Sequence, residues 1–134
     1  MEAQAPASLL SLMPYAGWLG VVIDEAAPER VVGGLDWSDE RCTAGGVMHG
    51  GALMSLADSI GAACAFLNLP DGAATSTIES KTNFFRGAGS GRVTATAVPV
   101  HVGRTTIAVQ TELRDDAGRL VALVMQTQAV VAPR

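Results

Sequence analysis

The segment GALMSLADSIGAACAFL, residues 51–67, decides the fold of this chain of 134 residues. Apolar residues recur within it at the spacing of one helix face: Leu53, Leu56, Ala57, Ile60 and Cys64. Small residues occupy most of its other positions, and Asp58 is its one charged residue. Because a helix that is apolar nearly all round has to be buried, the segment predicts a central core helix that carries a single carboxylate.

The sequence on both sides of this helix is typical of β-strands. Two short strands are predicted at residues 20–24 and 30–37, and four more at residues 75–86, 92–102, 105–114 and 120–131. The last four are joined by short connections, so antiparallel hairpins are their simplest arrangement. Residues 3–12 predict a short helix that ends at Pro14. We therefore expect an α+β fold, in which one curved antiparallel sheet wraps around the central helix.

Length and composition limit the possible functions. The length predicts a single domain over residues 1–134, with an N-terminal helical segment at residues 1–15. The net charge of −4, without any cluster of basic residues, argues against a nucleic-acid partner. Cys42 and Cys64 have no metal-binding spacing, so we expect no metal. No signal peptide or long uncharged apolar run is found, so we expect a cytoplasmic protein without a membrane partner.

The residues that precede the helix, GGVMHGG at positions 45–51, are a candidate anion site. They include no Ser, Thr, Asp or Asn that could cap the helix, although its first N–H groups need acceptors. Either water caps a glycine-rich turn, or the N–H of Gly50 stabilises a developing oxyanion. Asp58 is likewise either a catalytic carboxylate or a structural one, partly exposed at a subunit boundary or bonded to a hydroxyl of the sheet.

Gly50 and Asp58 are too far apart on one helix to act on the same carbon atom. Eight residues separate them, which is roughly 12 Å along a helix. A site that uses both groups would need two chains, in a two-fold dimer whose helices run antiparallel. The polar strand at residues 75–86 is either an ordinary edge strand or one that pairs with its own copy, and the hydroxyl of Ser76 or Thr77 could orient water near Asp58.

His49-Gly50-Gly51, Asp58 and the segment TIESKTNFFR at residues 77–86 together resemble the hotdog-fold acyl-CoA thioesterases. The resemblance covers residues 17–131 and is closest to the PaaI-like branch, which acts on phenylacetyl-CoA and 4-hydroxybenzoyl-CoA. It implies hydrolysis of an acyl-CoA to the free acid and CoA, with no cofactor because CoA is part of the substrate. It also implies a homo-oligomer, most simply a tetramer built as a dimer of dimers.

The resemblance also implies roles for individual residues. The Gly50 N–H would polarise the thioester carbonyl, His49 would shape the turn, and Asp58 of the other subunit would be the general base or the nucleophile. Thr77 would help to hold water. The implied substrate-binding residues are Thr43, Gly51, Arg86, Arg104 and Thr105, the last three of them for CoA.

Three departures from the family pattern leave substrate choice open. Thr43 stands where many relatives have Asn or Gln, Ala62 where one branch has a hydroxyl, and Gly87 where a proline is frequent. Arylacetyl, benzoyl and medium-chain acyl groups all remain possible. Two alternative functions are also open: a hotdog dehydratase or hydratase with a histidine base, for which His101 is the only other histidine, and a non-catalytic acyl-CoA-binding module.

Overall fold

Six strands and one long helix account for most of the molecule, which a computed structural model describes over residues 5–133. The helices are α1 (Pro6–Ser11), α2 (Pro14–Leu19) and α3 (Gly50–Phe66). The strands are β1 (Val22–Ala27), β2 (Arg30–Asp36), β3 (Ala74–Phe84), β4 (Arg92–Val102), β5 (Thr106–Arg114) and β6 (Leu120–Val131). The predicted central helix is shifted by one residue, whereas the predicted bounds of β4 and β6 match the structure.

All six strands belong to one antiparallel sheet in the order β1-β2-β4-β5-β6-β3. Helix α3 contacts every one of these strands, so the sheet wraps around it. Leu56 and Ile60 on α3 are fully buried, and so are alternate residues of the inner face of the sheet, such as Val109 on β5 and Val124 on β6. The predicted α+β fold, a curved antiparallel sheet around one central helix, is confirmed.

The predicted hairpin between β3 and β4 is wrong, because β3 pairs with β6 at the far edge of the sheet. Residues 85–91 instead cross the open end of the wrapped sheet. Backbone hydrogen bonds anchor this crossing, the shortest of them from Phe85 N–H to Val121 (2.8 Å), from Met48 N–H to Ala88 (2.8 Å) and from Trp37 N–H to Gly91 (2.7 Å). A short connection can therefore join non-adjacent strands when the sheet curls and brings their ends close together.

Residues 5–20 contain two short helices where the sequence predicted one. Helix α1 is shorter than the predicted helix, whose first two residues, 3 and 4, lie outside the described residues. Pro14 begins α2 and does not merely end α1, because the first turn of a helix needs no N–H from its first residues. Gly20, with φ of 106°, ends α2 in the left-handed conformation. Strand β1 therefore begins after this glycine, at Val22 and not at residue 20 as predicted, and it continues to Ala27.

No helix among the described residues is both long and apolar enough to cross a bilayer.

Candidate active site

Asp58 lies in the middle of α3, on the side that faces β3 and β6. Its Oδ1 accepts hydrogen bonds from Thr77 Oγ1 at 2.8 Å and from Gln126 Nε2 at 3.0 Å. The side chain is half-buried, and its Oδ2 accepts no hydrogen bond from residues 5–133. Asp58 is therefore bonded to a hydroxyl of the sheet, and one of its two oxygens remains available for chemistry.

Two buried glutamines of β6 complete the surroundings of this carboxylate, and neither was predicted from the sequence. Gln126 is 1% exposed and Gln128 is fully buried. Gln128 Oε1 lies 2.6 Å from Thr77 Oγ1 and accepts from Gln126 Nε2 at 3.0 Å, while Gln128 Nε2 donates to Thr75 Oγ1 at 3.2 Å. The sequence contained a signal for them, because residues 124, 126 and 128 alternate along β6 and so lie on the same, apolar face of the strand, where a glutamine is unusual.

Strand β3 presents hydroxyl groups to α3. Thr75, Thr77, Ser80 and Thr82 are half-buried, whereas their charged neighbours Glu79 and Lys81 are exposed. A bulge between Thr77 and Glu79 shifts the alternation by one residue, which is why Ser80 and not Glu79 faces inward. The sequence had predicted the polar residues of this strand but not which of them point toward Asp58.

The N-terminus of α3 is capped by His49, a residue type outside the Ser, Thr, Asp and Asn caps whose absence the sequence shows. The Nδ1 atom of His49 accepts the N–H of Gly51 at 2.7 Å. Histidine is not a usual cap, but its Nδ1 is attached as close to the backbone as an asparagine oxygen. Gly51 therefore has its N–H engaged, whereas the N–H of Gly50 meets no acceptor within residues 5–133. Gly50 is thus the donor that this turn leaves available.

Thr43 and Arg86 lie at the same end of the sheet as Gly50. The ring of Phe84, at the end of β3, is 3.2 Å from the position that a Cβ on Gly50 would occupy. The residues after Phe84 run alongside the loop before α3, where Thr43 N–H donates to Val47. Both Thr43 and Arg86 are exposed. This end of the molecule therefore combines an available N–H, a hydroxyl and a cation.

Arg104 and Thr105 lie at the opposite end of the sheet. They connect β4 to β5, and Thr105 accepts the N–H of Val130 near the end of β6. Phe84, by contrast, pairs with Ala122 near the start of β6. Since Ala122 and Val130 are eight residues apart on one strand, the two ends are separated by about 26 Å. The structure does not bring Arg86 and Arg104 of a single chain together.

Two cavities border α3, one beside its middle and one beside its C-terminal part. Asp58 lines one of about 180 Å³ together with Met54, Ser55 and Ser80, and the Tyr15 hydroxyl of α2 lies 3.0 Å from Ser55 Oγ. A larger apolar cavity of about 330 Å³ begins at Ala62, one helical turn after Asp58. It lies between α1 and α3, and its lining includes Leu9, Leu12, Met13, Phe66 and Thr75.

Other candidate groups lie apart from this site. No histidine in residues 5–133 bonds to Asp58, because His49 caps α3 and His101 is exposed on β4. Burial raises the pKa of the Cys64 thiol to about 11, which disfavours the thiolate that a nucleophile requires. Within the same range, no group of three or more His, Cys, Asp or Glu side chains could hold a metal ion.

The thioesterase superfamily matches this sequence over residues 45–122, a stretch that includes His49, Gly50, Asp58 and Thr77. The chain belongs to the thioesterase superfamily. One relative, "Putative esterase ComA2" of Bacillus subtilis, is 34% identical over 115 residues, which cover 84% of this chain and 90% of that protein. A Vibrio cholerae protein, also named a "Putative esterase", is 37% identical over 89 residues, which cover 66% of this chain but only 59% of that protein.

Solved structures of thioesterases share the fold. A Haemophilus influenzae thioesterase superposes with a TM-score of 0.90 at 25% identity, covering 96% of this chain and 91% of that one. The Escherichia coli PaaI protein superposes with a TM-score of 0.85, covering 96% and 92%, and its 24% identity supports the likeness of fold alone. The prediction of a PaaI-like hotdog thioesterase is confirmed in family and fold, and that of a thioester hydrolase at the level of the family.

Proposed function

We propose that this chain hydrolyses acyl-CoA thioesters to the free acid and CoA, with Asp58 as the reacting carboxylate. The proposal rests on one observation: within residues 5–133 of this chain of the thioesterase superfamily, one oxygen of the Asp58 carboxylate is held by two hydrogen bonds and the other is not. Thr77 and Gln126 hold Oδ1, while Oδ2 has no partner among the described residues and Asp58 lines a cavity. Oδ2 would either take a proton from the attacking water or attack the thioester carbonyl itself.

We propose that the backbone N–H of Gly50 stabilises the oxyanion that forms at the thioester carbonyl. The His49 cap leaves that N–H without an acceptor at the positive end of the helix dipole. A carbonyl oxygen that becomes negative as the thioester is attacked would accept it. Within residues 5–133 of one chain, no histidine bonds to Asp58, and the Nδ1 of His49 already accepts the N–H of Gly51.

The proposed site is shared between two subunits. Within one chain, α3 separates Gly50 from Asp58 by the roughly 12 Å expected for eight helical residues. Strand β3 is an edge strand of the described sheet, with β6 on one side only. If β3 pairs antiparallel with its own copy, the Phe84 end of one strand lies near the Ala74 end of the other. Gly50 then approaches Asp58 of the partner subunit.

The same symmetry would bring the two predicted CoA-binding arginines together. Arg86 and Arg104 lie at opposite ends of one chain, and antiparallel pairing of β3 inverts these ends in the partner. Arg86 of one subunit would then lie near Arg104 of the other. We propose that the nucleotide of CoA binds between these two arginines.

We also propose that two such dimers pair into a tetramer. Light scattering measures the number of subunits in the assembly.

The apolar cavity between α1 and α3 is the proposed site of the acyl group. Its volume of about 330 Å³ lies at the lower end of the range of small-molecule pockets. Each methylene buried there contributes about 0.8 kcal/mol, so kcat/KM should rise about fourfold per methylene until the cavity is full. A series of straight-chain, phenylacetyl and benzoyl thioesters measures this dependence. Leucine at position 62 (Ala62→Leu) should shorten the longest acyl chain accepted.

Two substitutions test the catalytic assignment. Asp58→Asn keeps the size of the side chain but cannot accept a proton or attack, so kcat for thiol release should fall at least about 10²-fold while the ligand still binds. Gly50→Pro removes the N–H, and Pro is favoured at the first helical position. His49, with φ of −61° and ψ of 135°, already has the conformation required before a proline. A loss of about 10²-fold or more is expected, whereas Gly50→Ala keeps the N–H and serves as its control.

Mixing the two inactive variants tests whether the site is shared. A mixed dimer of Gly50→Pro and Asp58→Asn contains one intact pair of groups if the site spans two chains. Random reassociation should then restore about a quarter of wild-type activity. If each site lies within one chain, no activity returns. Full turnover by Asp58→Asn would contradict the proposed function itself.

A further inference from the structure

The Thr77 hydroxyl has one proton and two acceptors within reach. Its Oγ1 lies 2.8 Å from Asp58 Oδ1 and 2.6 Å from Gln128 Oε1. A hydroxyl donates one hydrogen bond at a time. It can therefore satisfy either the carboxylate or the amide oxygen of Gln128, but not both.

The polar atoms around the Thr77 hydroxyl share too few hydrogens to satisfy all of their contacts. Gln126 Nε2 lies 3.0 Å from both Asp58 Oδ1 and Gln128 Oε1, so four atoms form a ring with four short contacts. With Asp58 ionised, the ring holds three hydrogens, one from Thr77 and two from the Gln126 amide. One of the four contacts therefore has no hydrogen, and the direction of the Thr77 hydroxyl decides whether it is the contact with Asp58 Oδ1 or the one with Gln128 Oε1.

Gln128 is held so that its oxygen stays beside Thr77. The residue is fully buried, and its Nε2 donates to Thr75 Oγ1, which in turn donates to the Ala129 carbonyl. The amide is thus tied to β3 at one end and to the Thr77 hydroxyl at the other. Gln128 Oε1 already accepts from Gln126 Nε2, but while Thr77 donates to Asp58 the 2.6 Å contact between Thr77 Oγ1 and Gln128 Oε1 has no hydrogen between its two oxygens. Gln128 therefore gains a second hydrogen bond when the Thr77 proton turns toward it.

We propose that Gln128 is a positioning residue for Asp58 that acts through the Thr77 hydroxyl. This inference rests on the proposed function. While Asp58 is ionised, Thr77 donates to it, because hydrogen bonds to a charged oxygen are the stronger ones. When Asp58 loses its negative charge during hydrolysis, the hydroxyl turns to Gln128. Gln128 therefore stabilises the enzyme in the step in which the Asp58 carboxylate has lost its negative charge.

The charge leaves Asp58 in either chemical route. In the general-base route, water gives one proton to Asp58 while its oxygen bonds to the thioester carbon; the carbon–sulfur bond then breaks, and the sulfur leaves with that proton. In the nucleophilic route, Asp58 bonds to the carbon, the thiolate leaves and takes a proton from water, and the hydroxide then cleaves the mixed anhydride. Both routes release one acid and one thiol and restore ionised Asp58.

A double-mutant cycle between Gln128 and Thr77 tests this role. Gln128→Met removes the amide at similar length and should lower kcat about tenfold, the effect of one hydrogen bond, with KM changed less than twofold. Thr77→Val removes the hydroxyl, so adding Gln128→Met to it should cause no further loss. In the Thr77→Ser background, which keeps the hydroxyl, the tenfold effect should persist.

Controls separate this role from a structural one. Gln110→Met makes the same change on β5, at a half-buried residue that forms no hydrogen bond to the site within residues 5–133, and should leave kcat unchanged. If Gln128→Met does not fold, Gln128→Leu replaces it in the cycle. Normal kcat per folded subunit, or an equal loss in the Thr77→Val background, would overturn the inference. If Asp58→Asn is inactive in that case, the proposed function stands; if Asp58→Asn turns over normally, the proposed function fails.

Discussion

Gly61 of α3 packs directly against the amide that holds Asp58, which makes Gly61→Ala an informative change. A Cβ at this position would lie 1.9 Å from Gln126 Oε1 and 2.6 Å from Gln126 Cδ. The amide would have to move, although it is 1% exposed and bonded to both Asp58 and Gln128. Losing these two bonds costs about 2–4 kcal/mol, and alanine returns about 1 kcal/mol as the better helix former. We expect a net destabilisation of about 1–3 kcal/mol.

Thermal and urea unfolding at a fixed protein concentration measure this change, and thioester hydrolysis should slow in parallel as Asp58 loses a donor. Gly17→Ala is the matched control, because within residues 5–133 its new Cβ would meet no atom within 4 Å beyond its chain neighbours and its own helix backbone, and it should be neutral or stabilising. In a Gln126→Ala background the sign should reverse, so that Gly61→Ala stabilises the protein by up to about 1 kcal/mol. Wild-type stability and turnover in the Gly61→Ala single variant would refute the reasoning.

Three further predictions concern the cysteines, an acidic turn and the proposed CoA site. Because burial raises the pKa of Cys64 to about 11, iodoacetamide at pH 8 should label Cys42 in the native protein and Cys64 only after unfolding, as mass spectrometry will show. The backbone N–H of Arg119 is the main cause of the lowered pKa of the Asp115 carboxyl, with smaller contributions from the Arg119 side chain and the N–H of Ala117. The stabilisation by this turn should therefore be complete at pH values above the ordinary Asp pKa of 3.8, and it should be lost as the pH falls through the lower pKa of Asp115 in the native protein. NMR of the Arg119 amide detects this loss, and a loss already at pH 5 would contradict the expectation. Arg86→Ala and Arg104→Ala should each raise KM for a CoA thioester more than they lower kcat, and neither should affect a thioester that lacks the nucleotide.

The elements of the fold could be predicted from the sequence because their signals are local. The helical spacing of apolar residues around Asp58 places α3 within one residue of its observed bounds, and the alternation in β4 and β6 defines both strands. Each pattern reflects burial of one face of a single element, which a window of 10 to 20 residues records. The identities of Gly50 and Asp58 as site candidates also came from the sequence.

Only the tertiary structure decided which elements are neighbours. Asp58 and Gln126 are 68 positions apart in sequence, and nothing in either segment encodes their contact. The pairing of β3 with β6, the inward turn of Ser80 after the bulge and the separation of Arg86 from Arg104 all follow from how the sheet closes around α3. Strand pairing depends on packing against residues distant in the chain, so the same alternating pattern fits several neighbours until the helix and sheet are assembled.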